Sequence, residues 1–209
     1  MKRLFDVTVA LVLLVFLTPL LVAIAMACLV SNRGHVLFSQ DRVGRQGRIF
    51  RIWKFRTMRV SDAADARQVT ADDDARITRL GRVLRATKLD ELPQLYNVLV
   101  GDMSLVGPRP EVPRYVAYWP PAARERILSV RPGITDPASI RYRHESAELA
   151  LSPDPEHYYV HVILPRKVSM YLEYVQARSF LGDVRLLWLT AEALLRPSRD
   201  PLQVTFSRR

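Results

Sequence analysis

Residues 4–30, LFDVTVALVLLVFLTPLLVAIAMACLV, form an apolar run whose only charge is Asp6. The run is longer than the roughly 20 residues that cross a bilayer as a helix. A secretory signal would stop after an apolar stretch of about 7–15 residues, and a helix buried in a soluble core is rarely apolar on every face. Membrane embedding is therefore the reading we adopt. Thr18-Pro19 falls near the middle. Proline removes an amide donor and collides with the carbonyl four residues back, so a kink is predicted there, with Thr18 able to satisfy part of the freed backbone. Lys2 and Arg3 precede the run. After it, residues 31–60 hold Arg33, Arg42, Arg45, Arg48, Arg51, Lys54, Arg56 and Arg59 against one acid, Asp41. Basic flanks prefer the cytoplasm. A helix-break-helix that enters and leaves by one face satisfies both flanks, whereas a straight span satisfies one.

Beyond the anchor the period shortens. VLFSQDRVGRQGRIFRIWKFRTM has β-rich runs on either side of Gly44 and Gly47, which predicts a hairpin over about 36–56. Its basic residues would lie close to the membrane plane. Two readings stand for them: attraction to anionic lipid, at about 1 kcal/mol per residue, and binding of phosphates. An acidic, mobile-looking loop occupies residues 61–73. From Asp74 a basic helix is expected, with Ile77, Leu80, Val83 and Leu84 at 3/4 spacing. It suits a membrane surface or a solvated face equally. Tyr115, Tyr118 and Trp119 suit an interface or a core. Residues 155–177 and 180–195 read as two helices, and Phe180, Val184, Leu187 and Ala191 form an apolar stripe expected to face the core. RPSRDPLQVTFSRR reads as a loosely ordered tail.

Charge narrows the partners. The 209 residues carry a net charge of +10 and are 49% hydrophobic, enough for one domain with a core. Such a balance calls for an anionic partner: nucleic acid, an anionic membrane or a phosphorylated substrate. A lone cysteine, Cys28, excludes a disulfide framework and a zinc cluster. There is no P-loop and no G-x-G-x-x-G, and the four histidines lack metal-ligand spacing. No nucleic-acid motif is present, so a membrane-anchored nucleic-acid or lipid module accounts for the charge and the anchor only. A purely structural single-pass protein accounts for still less.

The chemistry concentrates in LDELPQLYNVLVGDMSLVGPRP, residues 89–110. Asp90 reads as a helix cap with Glu91 in the first turn and Pro93 tolerated early. A helix N-terminus also favours an ionised carboxylate, which can serve as nucleophile or magnesium ligand. Arg85, Lys88, Arg109 and the basic collar would offset the charge of a polyphosphate brought to it.

KRLFDVTVALVLLVFLTPLL, FSQDRVGRQGRIFRIWKFRTM, LGRVLRATKLDELPQLYNVLVGDMSLVGPRPE and RPGIT occur in this order. Together they resemble the bacterial sugar transferase family, the small monotopic phosphoglycosyl transferases, over nearly the whole chain. The resemblance implies an α+β fold, mainly helical: a re-entrant membrane helix over 1–33, then a catalytic domain over 34–197 with a β-hairpin and amphipathic interfacial helices, then a tail over 198–209. It implies transfer of a phosphosugar from a UDP-sugar to a polyprenyl phosphate, usually undecaprenyl phosphate, with release of UMP, at the cytoplasmic face of the bacterial inner membrane. This step begins assembly of a surface glycan or glycoconjugate. By resemblance, Asp90 is the nucleophile and forms an aspartyl-phosphosugar intermediate, and Glu91 holds Mg²⁺. Arg56, Arg85, Arg109 and Arg143 match basic positions near the phosphates or nucleotide. Many members read PGITG followed by N-G-R; here Asp136, Ser139 and Tyr142 depart from that pattern, as does Tyr171, where many members carry aspartate. Arg143 and the sugar-binding region are the assignments this affects. Members with a larger N-terminal membrane domain exist, and this chain is expected to lack one.

Overall fold

The computed structural model describes residues 1–59 and 74–195. The acidic stretch 61–73 and the tail 198–209 lie outside the described residues.

The apolar run breaks where the sequence places Thr18-Pro19. Helix α1 (Lys2–Phe16) and helix α2 (Thr18–Ser31) meet at 64°. Thr18 Oγ1 donates to the Leu14 carbonyl at 2.8 Å, supplying one hydrogen bond at the interrupted ladder. Neither helix alone is long and apolar enough to cross a membrane, while the bent pair together has that length and composition. Leu11, Val12, Val15, Phe16, Val22, Met26 and Val30 present an exposed apolar surface.

Both ends of this pair are fastened to the same body. Lys2 Nζ donates to the Val106 carbonyl at 3.1 Å and pairs with Asp183. Arg3 donates to the carbonyls of Val98 and Leu99 at 2.6 and 3.0 Å. The buried Asp6 accepts from Ser104 Oγ at 2.8 Å. At the far end, Asn32 Nδ2 donates to the Arg56 carbonyl at 2.7 Å, and Ile24 and Cys28 pack with Phe55 and Leu84. Lys2 and Arg3, read from sequence only as a topological flank, thus also do structural work.

The hairpin forms where predicted. Strands β1 (Leu37–Val43) and β2 (Ile49–Phe55) pair antiparallel, from Leu37 opposite Phe55 to Val43 opposite Ile49. Helix α3 (Arg79–Thr87) starts later than the expected Asp74, because Thr78 is the cap: its Oγ1 accepts from Gly81 N at 2.9 Å. Asp74 instead grips Arg76 ahead of the helix. Ile77, expected on the helical stripe, bridges to Met58, and Val83 is exposed. A Cβ on Gly81 would sit 2.0 Å from the Thr57 carbonyl oxygen, so α3 lies directly against the chain leaving the hairpin.

Helix α4 (Gln94–Val100) leads to strand β3 (Ser104–Val106), which pairs parallel with strand β4 (Gly133–Thr135). Helices α5 (Pro113–Val116) and α6 (Pro121–Leu128) connect them. The approach is close: a Cβ on Gly133 would meet Gly107 N at 2.1 Å. Helices α7 (Pro137–Arg141), α8 (Glu145–Ala150) and α9 (Pro155–Tyr158) follow, then a π-helical turn over Tyr159–Ile163, α10 (Leu164–Ala177) and α11 (Phe180–Leu195). The result is a mainly helical α+β fold. The helix expected over 155–177 is interrupted by the π turn, just before Pro165, which cannot donate to a preceding carbonyl.

Tyr115 and Trp119 are core residues, packed with Val116, Ile127, Leu164, Val168 and Tyr171, while Tyr118 is exposed. Each such burial contributes about 1.5–3 kcal/mol. The stripe on α11 corrects the expectation. Phe180, Val184 and Ala191 are exposed, and only Leu187 is partly covered. The helix docks through Leu186 and Leu187 and through polar anchors. Asp183 accepts from Tyr174 OH at 2.7 Å, and Thr190 Oγ1 meets Thr135 Oγ1 at 2.7 Å.

Candidate active site

The acidic pair does not cap a helix. Lys88, with φ of 59°, ends α3 in the left-handed conformation, and Leu89–Glu91 form a single 3₁₀ turn. Helix α4 begins only after Pro93. The cap expected of Asp90 is therefore absent, and so is the helix N-terminus invoked to keep it ionised. What surrounds the pair is side-chain charge.

Helix α4 sets the geometry through one buried amide. Asn97 Nδ2 donates to the Arg51 carbonyl at 2.7 Å, and its Oδ1 accepts from Trp53 N at 3.2 Å. Asn97 thus takes the place of a strand partner along β2 and fixes that strand against the turn carrying Asp90 and Glu91. Lys54 then reaches Glu91 Oε1 at 2.9 Å. Arg109 closes on the same carboxylate with both arms of its guanidinium, Nη1 donating to Oε2 at 2.9 Å and Nη2 to Oε1. Burial alone would raise the Glu91 carboxyl, but the charges of Arg109 and Lys54 outweigh it and hold it well below the usual carboxylate range. Burial likewise works against the charge on Arg109, yet Glu91 keeps it more firmly protonated than a free guanidinium.

Asp90 is different. It is 6% exposed, and its Oδ1 has no hydrogen-bond partner among the described residues. Burial pushes its carboxyl upward and the charge of Glu91 adds to the rise; the Lys54 ammonium is the main counterweight, with Lys88 and Arg85 also opposing it. One neighbour is thus locked as an anion by two cations, and the other is a desolvated carboxyl group facing positive charge.

The Arg109 loop is held from behind. Asp136, fully buried, accepts from the Arg109 amide at 2.7 Å and from Ser139 N at 2.7 Å, the second bond capping α7. The parallel pairing of β3 with β4 and the contact of Gly107 with Gly133 bring these segments together. Arg42 Nη1 donates to the Pro110 carbonyl at 3.0 Å, tying the hairpin to the same loop.

Of the basic residues matched by resemblance, Arg109 touches the pair and the half-buried Arg85 acts on Asp90 through space. Arg56 makes its contacts at the hairpin edge, donating to the Leu37 carbonyl at 3.4 Å and lying over the Phe38 ring. Arg143 donates to the Ala193 carbonyl of α11. Two residues of this site were missed in the sequence. Lys54 was counted only as collar charge, although it stands in WKFRTM beside Arg56. Asp136 was read only as a departure, although DPAS has a cap, a proline at the first helical position and the amide that the cap takes.

Asp90 and Glu91 offer carboxylate oxygens, the donor type that a hard cation takes. No group of three or more His, Cys, Asp or Glu is placed for a metal among the described residues. Among the described residues, the pair offers an ionised Glu91 whose Oε2 accepts one bond and an Asp90 Oδ1 that accepts none.

Residues 1–197 match the family described as bacterial sugar transferase. The chain is 42% identical over 199 residues to an undecaprenyl-phosphate glucose phosphotransferase of Komagataeibacter xylinus, covering 90% of this chain and 35% of that protein. It is 35% identical over 193 residues to a UDP-glucose:undecaprenyl-phosphate glucose-1-phosphate transferase of Escherichia coli (strain K12), covering 91% and 39%. A protein of the same description from Caulobacter vibrioides is 36% identical over 197 residues, covering 93% and 69%. The chain thus spans little more than a third of the first two relatives and about two thirds of the third. With a match that takes in both helices of the bent pair, the hairpin and every residue of the charged cluster, the chain belongs to the bacterial sugar transferase family.

Proposed function

We propose that the protein transfers a sugar 1-phosphate from a UDP-sugar to a polyprenyl phosphate such as undecaprenyl phosphate, releasing UMP, through a covalent intermediate on Asp90. The observation that carries this reading is the asymmetry of the pair: Glu91 is paired with Arg109 and Lys54, while Asp90 keeps a buried oxygen without a hydrogen-bond partner among the described residues. A carboxylate oxygen without a hydrogen bond has less solvation to lose on attack.

In the first step an Asp90 carboxylate oxygen attacks the sugar-bearing phosphorus of the donor. The bond from that phosphorus to the bridging oxygen breaks, and its electron pair leaves with UMP. In the second step a phosphate oxygen of the acceptor attacks the same phosphorus, and the Asp90 carboxylate departs. Arg109, Lys54, Arg85 and Lys88 present fixed positive charge where negative charge builds on the phosphates. Mg²⁺, held by Glu91 with oxygens of the donor, would supply further neutralisation of the diphosphate. The covalent route means that a soluble donor and a lipid acceptor need not share the site.

The family's acceptor is a membrane lipid, and the helix pair supports monotopic attachment. Its two ends are bound to one body through Lys2, Arg3 and Asp6 on one side and Asn32 and Cys28 on the other. A chain fixed in that way enters and leaves the bilayer by the same face, the cytoplasmic one given its basic flanks. There it would begin assembly of a surface glycan.

The test is to incubate purified protein with Mg²⁺, a polyprenyl phosphate and each of a panel of UDP-sugars. Release of UMP with one sugar, together with a lipid-linked sugar diphosphate, is the expected result. No UMP with any donor would remove the reading.

A further inference from the structure

Glu111 follows Arg109 and Pro110, and it is buried. Its Oε1 accepts from the hydroxyl of the buried Tyr159 at 2.7 Å. Lys167 Nζ stands 3.9 Å from the same oxygen, and it donates to Tyr159 OH at 3.2 Å and to Glu145 Oε2 at 3.0 Å. Burial works against the charge of Lys167, yet Glu145 and Glu111 keep it protonated. Burial and the charge of Glu111 also keep the Tyr159 phenol protonated, so its hydroxyl donates to Glu111 while accepting from Lys167. Helix α8, the π-helical turn and α10 thus converge on one carboxylate at the end of the loop that carries Arg109.

That loop is gripped at each residue. The Arg109 amide donates to Asp136 at 2.7 Å, the Pro110 carbonyl accepts from Arg42 at 3.0 Å, and the Glu111 carbonyl accepts from Val43 N at 2.9 Å. Pro108 and Pro110 fix φ on either side of Arg109. A shift of Glu111 therefore reaches Arg109 through a stiff link of one proline. The fork of Arg109 is sensitive to such a shift, because two of its nitrogens must meet one carboxylate.

Stability alone does not account for this network. Withdrawing an ammonium and a carboxylate from water costs about as much as their attraction returns, and an apolar set of the same volume is often as stable. Hydrogen-bonded charges add a single allowed geometry. The π-helical turn points the same way: it begins at Tyr159, and single turns of this kind inside helices are frequent at functional sites.

We propose that Tyr159 and Lys167 are positioning residues for phosphosugar transfer: by holding Glu111, they set the Arg109 fork on Glu91. This rests on the reaction proposed above, to which it adds two residues that act without touching the substrate.

Tyr159→Phe removes the hydroxyl between Glu111 and Lys167 and keeps the ring packed on Tyr115. Single-turnover UMP release from UDP-sugar, with Mg²⁺ and no acceptor, should fall about tenfold, the cost of one hydrogen bond to a charged group. In an Arg109→Lys background, where the fork is already lost, the same substitution should change the rate by less than about twofold. Lys167→Met should show the same dependence on Arg109. Tyr158→Phe removes a hydroxyl bonded to Glu148 at 2.9 Å and, as the neighbouring control, should leave the rate unchanged in both backgrounds. An equal loss from Tyr159→Phe with and without Arg109 would overturn the proposal, because it would mark damage to the fold and not to the placement of Arg109. Amide hydrogen exchange supplies a readout that needs no turnover. Well below the unfolding temperature, Tyr159→Phe should speed exchange in the peptide containing Arg109 and Glu111 by about fivefold or more, and leave the peptide of α3 at its wild-type rate. Acceleration spread evenly over the fold, or none at the Arg109 peptide, would equally overturn the proposal. If the wild-type protein releases no UMP, the proposed reaction fails, and exchange still decides whether Tyr159 holds the Arg109 loop.

Discussion

Glu91 and Arg109 form a single mechanical unit, and a double-mutant cycle tests whether they behave as one. The pair makes two charge-assisted hydrogen bonds, and the side chains are 11% and 23% exposed, so solvent screens them little. Arg109→Lys keeps the charge but replaces a rigid fork by a point ammonium, which cannot reproduce both bonds. Loss of one charge-assisted bond costs about 1.5–3 kcal/mol, equivalent to a roughly 10- to 150-fold fall in the rate of UMP release if the pair orients the diphosphate. Glu91→Gln keeps the shape and removes the charge, with a loss of the same order. Independent residues would give additive losses in the double variant. One unit gives a double variant scarcely worse than the worse single, with a coupling of about 1.5 kcal/mol or more. Single-turnover UMP release from labelled UDP-sugar, without acceptor, is the assay, and thermal unfolding of each variant separates folding losses. Additivity within about 0.5 kcal/mol would refute the claim that Glu91 works through Arg109.

Asp136 should matter through the loop it holds: Asp136→Ala removes both of its backbone bonds and is expected to lower the midpoint of thermal unfolding by several degrees and the donor kcat with it, while Asp136→Asn, which still caps a helix well, should recover most of the stability. Unchanged unfolding in Asp136→Ala would contradict this. Chelation with EDTA should abolish UMP release and Mg²⁺ should restore it; activity that survives thorough chelation would remove the metal role of Glu91. Single cysteines placed before Leu4 and after Val30, in a Cys28→Ser background, should both react with impermeant reagents from the cytoplasmic side alone, and labelling from opposite faces would exclude the re-entrant arrangement.

Local structure was legible wherever one residue type dictated it. Pro19 determined the break, Gly44 and Gly47 bounded the hairpin turn, and the β-branched and aromatic runs gave strands within a residue or two. The acidic pair was legible as chemistry but not as geometry. Asp90 followed by Glu91 and Pro93 has the pattern of a helix start, yet Lys88 adopts a left-handed conformation and turns the chain into α4 through a 3₁₀ step. Lys54 was hidden because its partner is 37 residues away, and the link depends on Asn97 substituting for a strand along β2. Periodicity also misplaced α11. A 3.6-residue apolar stripe marks a face that avoids water, and most of such a face can stay exposed when Leu186, Leu187, Asp183 and Thr190 supply the contacts that dock the helix. Lys2, Arg3 and Asp6 show the same limit: a topological flank and a set of structural contacts look identical until the rest of the chain is folded around them.

The central claim is that Asp90 carries the phosphosugar, and mass spectrometry of the enzyme after incubation with UDP-sugar alone tests it most directly. With Mg²⁺ and no polyprenyl phosphate, the account predicts a phosphosugar adduct on the peptide containing Asp90, with about one UMP released per active site, as covalent catalysis requires. Asp90→Asn should lose both, and Glu91→Gln should still leave a trace of adduct. If UMP appears only after acceptor is added and no adduct can be trapped, the sugar phosphate passes directly from donor to lipid and Asp90 is not the nucleophile.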